Sequence, residues 1–66
     1  MIGRLSGVLL SVEENLALIE VGGVGYEVRL PPNLRDRLPP LGEPLTLHIR
    51  TLFHEDEGIL LYGFLE

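Results

Sequence analysis

Two proline pairs, Pro31-Pro32 and Pro39-Pro40, restrict the fold of this chain more than any other feature. Proline breaks a helix and also disfavours helix at the residue before it, so only about one helical turn fits between the two pairs, at residues 33–38. Elsewhere, apolar residues recur at every second position, which is typical of strands. Because no helix is long enough to cover a sheet, the predicted sheet must close on itself. The sequence therefore predicts an all-β barrel.

Alternation and turn residues predict five strands. The clearest alternation is in Val24–Leu30, and Gly22-Gly23 before it is a two-residue hairpin turn. In the first segment, the apolar positions change parity midway, which predicts a long strand that bends and serves two sides of a barrel. The predicted strands are Met1–Val12, Leu16–Val21, Val24–Leu30, Leu45–Phe53 and Ile59–Phe64.

The position of the helical turn favours one barrel over another. Asn33 is predicted to cap a short helical turn, with Leu34 and Leu38 on one side of it. A helical insert between the third and fourth of five strands is the order of an OB-fold barrel. The SH3-like barrel, which also has five strands, is the alternative. We expect residues 1–66 to form a single OB-fold domain.

Composition excludes several classes of function. The chain has ten acidic residues, five Arg and a net charge of −5, so tight binding to nucleic acid by this chain alone is not expected. It has no Cys and only two His, and no metal-ligand spacing is present; neither a metal nor a cofactor is predicted. No candidate nucleophile in the sequence has a basic residue placed to activate it, so we expect no enzyme activity. No apolar run reaches the ~18 residues that span a bilayer, and a cytoplasmic location is expected.

The segment His54-Glu55-Asp56-Glu57-Gly58 is the main candidate site. It places three consecutive carboxylates between the last two predicted strands, which predicts a β-hairpin with an acidic tip. Hairpin tips are commonly polar because they are exposed to solvent, so a solvated loop without a function is the alternative to a functional role.

Three stretches resemble the amino-terminal domain of the RuvA family, the Holliday-junction-binding subunit of the bacterial branch-migration complex. They are Met1–Gly7, Ile19–Val28, and Glu55-Asp56 followed by Leu60–Phe64. The resemblance implies an OB fold at the centre of a homotetramer on four-way junction DNA in recombination and repair. It also implies that Glu55 and Asp56 form an acidic pin that steers DNA strands at the crossover.

Two residues beside this pair depart from the family pattern. Glu57 extends the acids to three, and His54 stands where the family carries a basic residue, so both are candidate extensions of the pin. The family also implies a helix-hairpin-helix domain and a carboxy-terminal domain that engages the RuvB-type motor, which would supply ATP hydrolysis. Both are expected to lie outside this chain.

Other residues have a structural and a functional interpretation. We expect the aromatics Tyr26, Phe53, Tyr62 and Phe64 to fill the core rather than stack on bases. Arg4, Arg29 and Arg50 are expected to be solvated, with phosphate or a neighbouring subunit as alternatives. The main functional alternative is an OB-fold protein-interaction or assembly module that binds no nucleic acid. An RNA-binding OB module is disfavoured by the lack of a basic, aromatic surface.

Overall fold

The computed structural model describes residues 1–66 and shows a closed barrel of five strands. Neighbouring strands pair in the order β1-β2-β3-β5-β4, and β4 returns to β1. All pairs are antiparallel except β3 with β5, which run parallel. This confirms the predicted all-β barrel, and its order is that of an OB fold. The strands are β1 Arg4–Glu13, β2 Leu16–Val21, β3 Val24–Arg29, β4 Pro44–His54 and β5 Gly58–Phe64.

The first strand serves two sides of the barrel, as predicted. Residues Arg4 to Val8 pair with β4, and Val8 to Glu13 pair with β2 across a register shift between Leu9 and Ser11. Gly7 lies next to Val8, the residue that both pairings share. A Cβ there would collide with the carbonyl oxygen of Glu20 and lie 2.8 Å from Val21 Cγ2, so glycine permits the close approach of β1 to β2.

The core is aliphatic and is supplied by β1 to β4 and by the segment between β3 and β4. Ten apolar residues are buried, and all of them are Leu, Ile, Val or Ala. Leu9, Ile19, Val28 and Leu47 have no measurable exposure. Gly63 of β5 completes the packing, since a Cβ there would lie 2.6 Å from Val28 Cγ1 and 3.0 Å from Leu47 Cδ1.

The expectation that all four aromatics fill this core is wrong. Phe53 is 76% exposed and Phe64 is 38% exposed, while Tyr26 and Tyr62 are half-buried. The smaller aliphatic side chains already fill the narrow interior. Phe53 has the parity of the buried Leu47 of β4, but it lies beyond the end of the barrel, where no strand covers it.

The helical element between β3 and β4 is one 3₁₀ turn, Arg35–Arg37. Leu34 is buried and Leu38 is half-buried, which confirms the predicted apolar side. The predicted cap is wrong: Leu34 is the N-cap residue, and no side chain caps the turn. Asn33 lies inside a preceding turn that the Leu34 N–H closes by donating to the Pro31 carbonyl, 3.1 Å away. No helix here is both long and apolar enough to cross a membrane.

Candidate functional site

The acidic segment forms the tip of a regular β-hairpin. Cross-strand pairs between β4 and β5 run without interruption from His48 and Phe64 to His54 and Gly58. Glu55, Asp56 and Glu57 make the turn, and Gly58 follows with a positive φ of 83°. Glycine adopts that left-handed backbone without a Cβ clash, so Gly58 allows the chain to turn back into β5. The predicted hairpin is therefore confirmed, with the carboxylates at its apex.

The outer half of this hairpin is an arm that leaves the barrel. The β1 pairing of β4 ends at His48, and β3 pairs with β5 only at Leu61 and Tyr62. Beyond Thr51, the two strands have only each other, and we call residues 52–60 the arm. A two-stranded ribbon alone is marginal in water, so this arm depends on the barrel at its base.

Thr51, at the base of the arm, forms hydrogen bonds with the backbone near the start of the chain. Its Oγ1 donates a hydrogen bond to the Ile2 carbonyl at 2.7 Å and accepts one from the Ile2 N–H at 3.2 Å. Both bonds are partly buried. The Ile49 N–H also donates to the Gly3 carbonyl at 2.9 Å. These contacts extend the support of β4 past the end of its regular pairing with β1.

The three tip carboxylates have different surroundings. Glu57 Oε1 accepts a hydrogen bond from Arg29 Nη2 at 2.9 Å, and the two side chains are half-exposed. Glu55 and Asp56 are exposed and form no ion pair or side-chain hydrogen bond. The apex therefore presents two unpaired negative charges, while the third carboxylate is tied to the end of β3.

The contact between Arg29 and Glu57 was not predicted from the sequence. The two residues are 28 positions apart, and nothing in the spacing of either segment signals their contact. An exposed ion pair of this kind contributes about 0–1 kcal/mol. It links the tip of the arm to the end of β3. His54 is exposed on the arm opposite Gly58 and makes no side-chain hydrogen bond.

The other two strand arginines lie together on the outside of the barrel. Arg4 pairs across strands with His48, and Arg50 pairs with Tyr62. Both arginines are exposed, as expected, and neither makes an ion pair or a side-chain hydrogen bond. They are on the outer side of β4 and its two neighbours, separate from the unpaired carboxylates at the tip.

The hairpin site is convex. The largest surface depression is open to solvent and lies beside the β1–β2 turn, where its lining includes Glu13, Leu16 and Tyr62 but neither Glu55 nor Asp56. No group of three or more His, Cys, Asp or Glu side chains is arranged to hold a metal ion. A protruding charged tip suits contact with a large partner, whereas small molecules are usually bound in concave sites.

Fold and site together define a small OB-type barrel that presents an acidic hairpin. The family model described as the RuvA N-terminal domain matches residues 1–63. The chain belongs to the RuvA N-terminal domain family.

Curated relatives agree with this assignment. The chain is 52% identical over 65 residues to the protein of Caulobacter vibrioides named Holliday junction branch migration complex subunit RuvA; the match covers 98% of this chain and 32% of the relative. Proteins of the same name from Pseudomonas paraeruginosa and Stutzerimonas stutzeri are 48% and 47% identical over 66 residues, covering 100% of this chain and 32% of each relative. The chain thus spans about a third of the length of the relatives it matches.

Proposed function

We propose that this chain is a non-catalytic domain of a Holliday-junction branch-migration subunit and that its acidic hairpin steers DNA strands at the crossover. Family membership and the name of the relatives support the junction as the partner. The observation that carries the steering role is the pair of unpaired carboxylates, Glu55 and Asp56, at the apex of a supported arm.

The physical basis of the role is repulsion between carboxylates and phosphates. Two unit charges ~10 Å apart in water interact by roughly 0.4 kcal/mol before screening. Salt at physiological strength screens charges beyond about 8 Å, so one tip acts only at close range. Several tips grouped at a crossover would exclude the phosphate backbone from its centre and direct separated strands outward. The same repulsion lowers affinity, which lets a junction slide.

The proposal includes an assembly and partners outside this chain. Four copies would form the core of a homotetramer and bring four tips together at the junction. Helix-hairpin-helix and motor-binding domains would belong to the rest of a longer protein, and a RuvB-type motor would hydrolyse ATP. The working site would be cytoplasmic, where a bacterial chromosome lies.

The test uses the full-length protein with Glu55→Gln and Asp56→Asn. Junction affinity is measured by fluorescence anisotropy, and branch migration with the motor is measured by strand separation. We expect tighter junction binding and a changed migration rate, because the repulsion has been removed. A matched control, Glu13→Gln with Glu14→Gln, makes the same charge change at the β1–β2 turn and should change neither. Unchanged affinity and rate in the tip variant would rule out steering.

An assembly module without nucleic-acid binding is the second candidate. It is favoured by one observation: the outer side of β1, β4 and β5 exposes Val8, Leu52 and Phe64. Junction affinity of the full-length protein that falls steeply with salt would support the first proposal. Absence of such binding would support the second.

A further inference from the structure

The two most exposed large apolar side chains after Met1 are neighbours on the arm. Phe53 is 76% exposed and Ile59 is 70% exposed, and they lie directly opposite each other across β4 and β5. Opposite residues of an antiparallel pair have Cβ atoms about 4.5–5.5 Å apart and face the same side of the sheet. The two side chains therefore form one apolar surface, which we call the Phe53–Ile59 patch.

The register of the hairpin explains why this patch is uncovered. Phe53 has the parity of the buried Leu47 in β4, and Ile59 has that of Gly63 in β5, so the patch continues the inner side of the barrel wall. The pairing of the hairpin with β1 and β3 does not reach these residues, so no other strand lies over them. Apolar residues scattered singly over a surface are ordinary, whereas two neighbours on a protruding arm are a candidate binding surface. Of the two roles that the sequence left for Phe53, core packing is ruled out and base stacking remains.

The charge next to the patch favours an uncharged occupant. Phe53 is two residues from Glu55, which is about 7 Å along a strand. Glu55 and Asp56 form no ion pair, so their charges repel phosphate and any acidic surface that approaches the patch. The bases are the uncharged aromatic part of a nucleic acid, and every base has a face on which an aromatic side chain stacks.

The size of the patch also argues against a protein as its occupant. A standard protein–protein interface buries about 800 Å² and roughly 20–30 residues on each side. The Phe53–Ile59 patch has two side chains, and the carboxylates beyond it belong to a residue class that is depleted in such interfaces. A single base, in contrast, is held by stacking on one aromatic side chain. The patch therefore fits a base better than a protein surface.

We propose that the ring of Phe53, with Ile59 beside it, stacks on an unpaired base at the crossover of a four-way junction. The inference rests on the proposed function, which brings the arm to the point where strands separate. The carboxylates exclude the backbone, and the ring offers a face to a base that has lost its partner, which lowers the cost of unpairing. Apolar side chains inserted between base steps act in this way in other DNA-binding proteins. Stacking tolerates every base, so it is compatible with movement through any sequence.

The experiment measures the affinity of the full-length protein for a junction with one mismatched pair at the crossover, where an unpaired base is present in every complex. Phe53→Ala and Phe53→Ile should each weaken binding at least about five-fold, the lower limit for the loss of one stacked base. Phe53→Tyr keeps a ring and should stay within two-fold of the parent. The slope of affinity against salt should not change in any of them, because stacking neutralises no phosphate.

Two of these comparisons separate stacking from a structural role. Phe53→Ile keeps an apolar, β-branched residue opposite Ile59, so it would bind like the parent if the ring only stabilised the two-stranded ribbon. Leu41→Ala is the matched control, since Leu41 is 62% exposed in the turn before β4 and far from the tip in sequence. Its affinity should stay within two-fold of the parent.

Phe53→Trp reports the contact directly. This chain has no Trp, so the variant adds an indole to the patch, and indole emission is quenched when the ring stacks on a base. The emission that Phe53→Trp adds to that of the parent should fall when the mismatched junction is bound. A fully paired duplex with the sequence of one arm should leave it unchanged.

Each opposite result overturns the inference and leaves the steering proposal intact. Binding by Phe53→Ala or Phe53→Ile within two-fold of the parent, or an indole that the junction does not quench, would show that the ring does not stack on a base. A changed oligomeric mass of Phe53→Ala in light scattering would mean that the patch contacts protein instead. Steering is judged by Glu55→Gln with Asp56→Asn, whose expected effect has the opposite sign: those substitutions keep the ring and should tighten binding.

Discussion

The barrel and the arm share the same two strands, yet they are stabilised in different ways. Within the barrel, the inward residues of β4 are buried in a cluster that β1, β2 and β3 also supply, and Leu47 has no exposed surface. Within the arm, Phe53 has the same parity on the same strand and is 76% exposed. The comparison shows that alternation determines which side a residue faces, whereas burial depends on how many strands lie on that side.

The largest expected effect comes from truncating Leu47 in the barrel, and truncation of Phe53 in the arm is the comparison. Leu47→Ala should lower the free energy of unfolding by about 2–5 kcal/mol, because it removes buried methyl groups and leaves a cavity. Phe53→Ala should change it by less than about 0.5 kcal/mol, as exposed substitutions usually do. Urea denaturation followed by circular dichroism measures both. Equal losses would mean that the arm is packed against a surface that the fold does not show.

Thr51 lies at the boundary between the barrel and the arm. Thr51→Val preserves the shape of the side chain and removes both hydrogen bonds to Ile2, which should cost about 1–2 kcal/mol because those partners are partly buried. Amide hydrogen exchange at Ile2 should accelerate, since its acceptor is lost.

Thr46→Val is the matched control for Thr51→Val. The Thr46 hydroxyl is 2.8 Å from Ser6 Oγ, and both groups are exposed, so water replaces the lost bond. Its effect on the free energy of unfolding should be within about 0.5 kcal/mol. A loss as large as that of Thr51→Val would show that burial does not explain the difference.

The contrast also explains how far the sequence predicts the fold. Alternation in Val24–Leu30, together with the proline pairs and turn glycines, correctly predicted five strands and their closure. The parity change in the first segment correctly predicted that β1 serves two sides. These features are local, and a strand's local pattern survives in the fold. Asn33 was wrongly predicted as a cap because a preceding turn, closed by Pro31, already uses that segment.

The site was only partly predictable for the same reason. The acidic hairpin follows from consecutive residues, so its tip was predicted correctly. The ion pair between Glu57 and Arg29 joins two segments that are distant in sequence, and the alternation of apolar residues cannot predict such a contact.

The smallest expected effect tests whether the Arg29–Glu57 pair links the two regions. Arg29→Gln and Glu57→Gln should each lower the free energy of unfolding by about 0.3–1 kcal/mol, and the double variant should lose less than the sum of the two. The coupling should shrink between low and high salt, because both side chains are half-exposed and screened. Arg37 with Glu66, whose charged atoms are 3.8 Å apart and more exposed, is the comparison pair and should show almost no coupling. Coupling of the same size in both pairs would mean that the contact at the tip stabilises nothing specific. A larger coupling at Arg29 and Glu57 would mean that the barrel favours one direction for the arm, which is what steering by Glu55 and Asp56 requires.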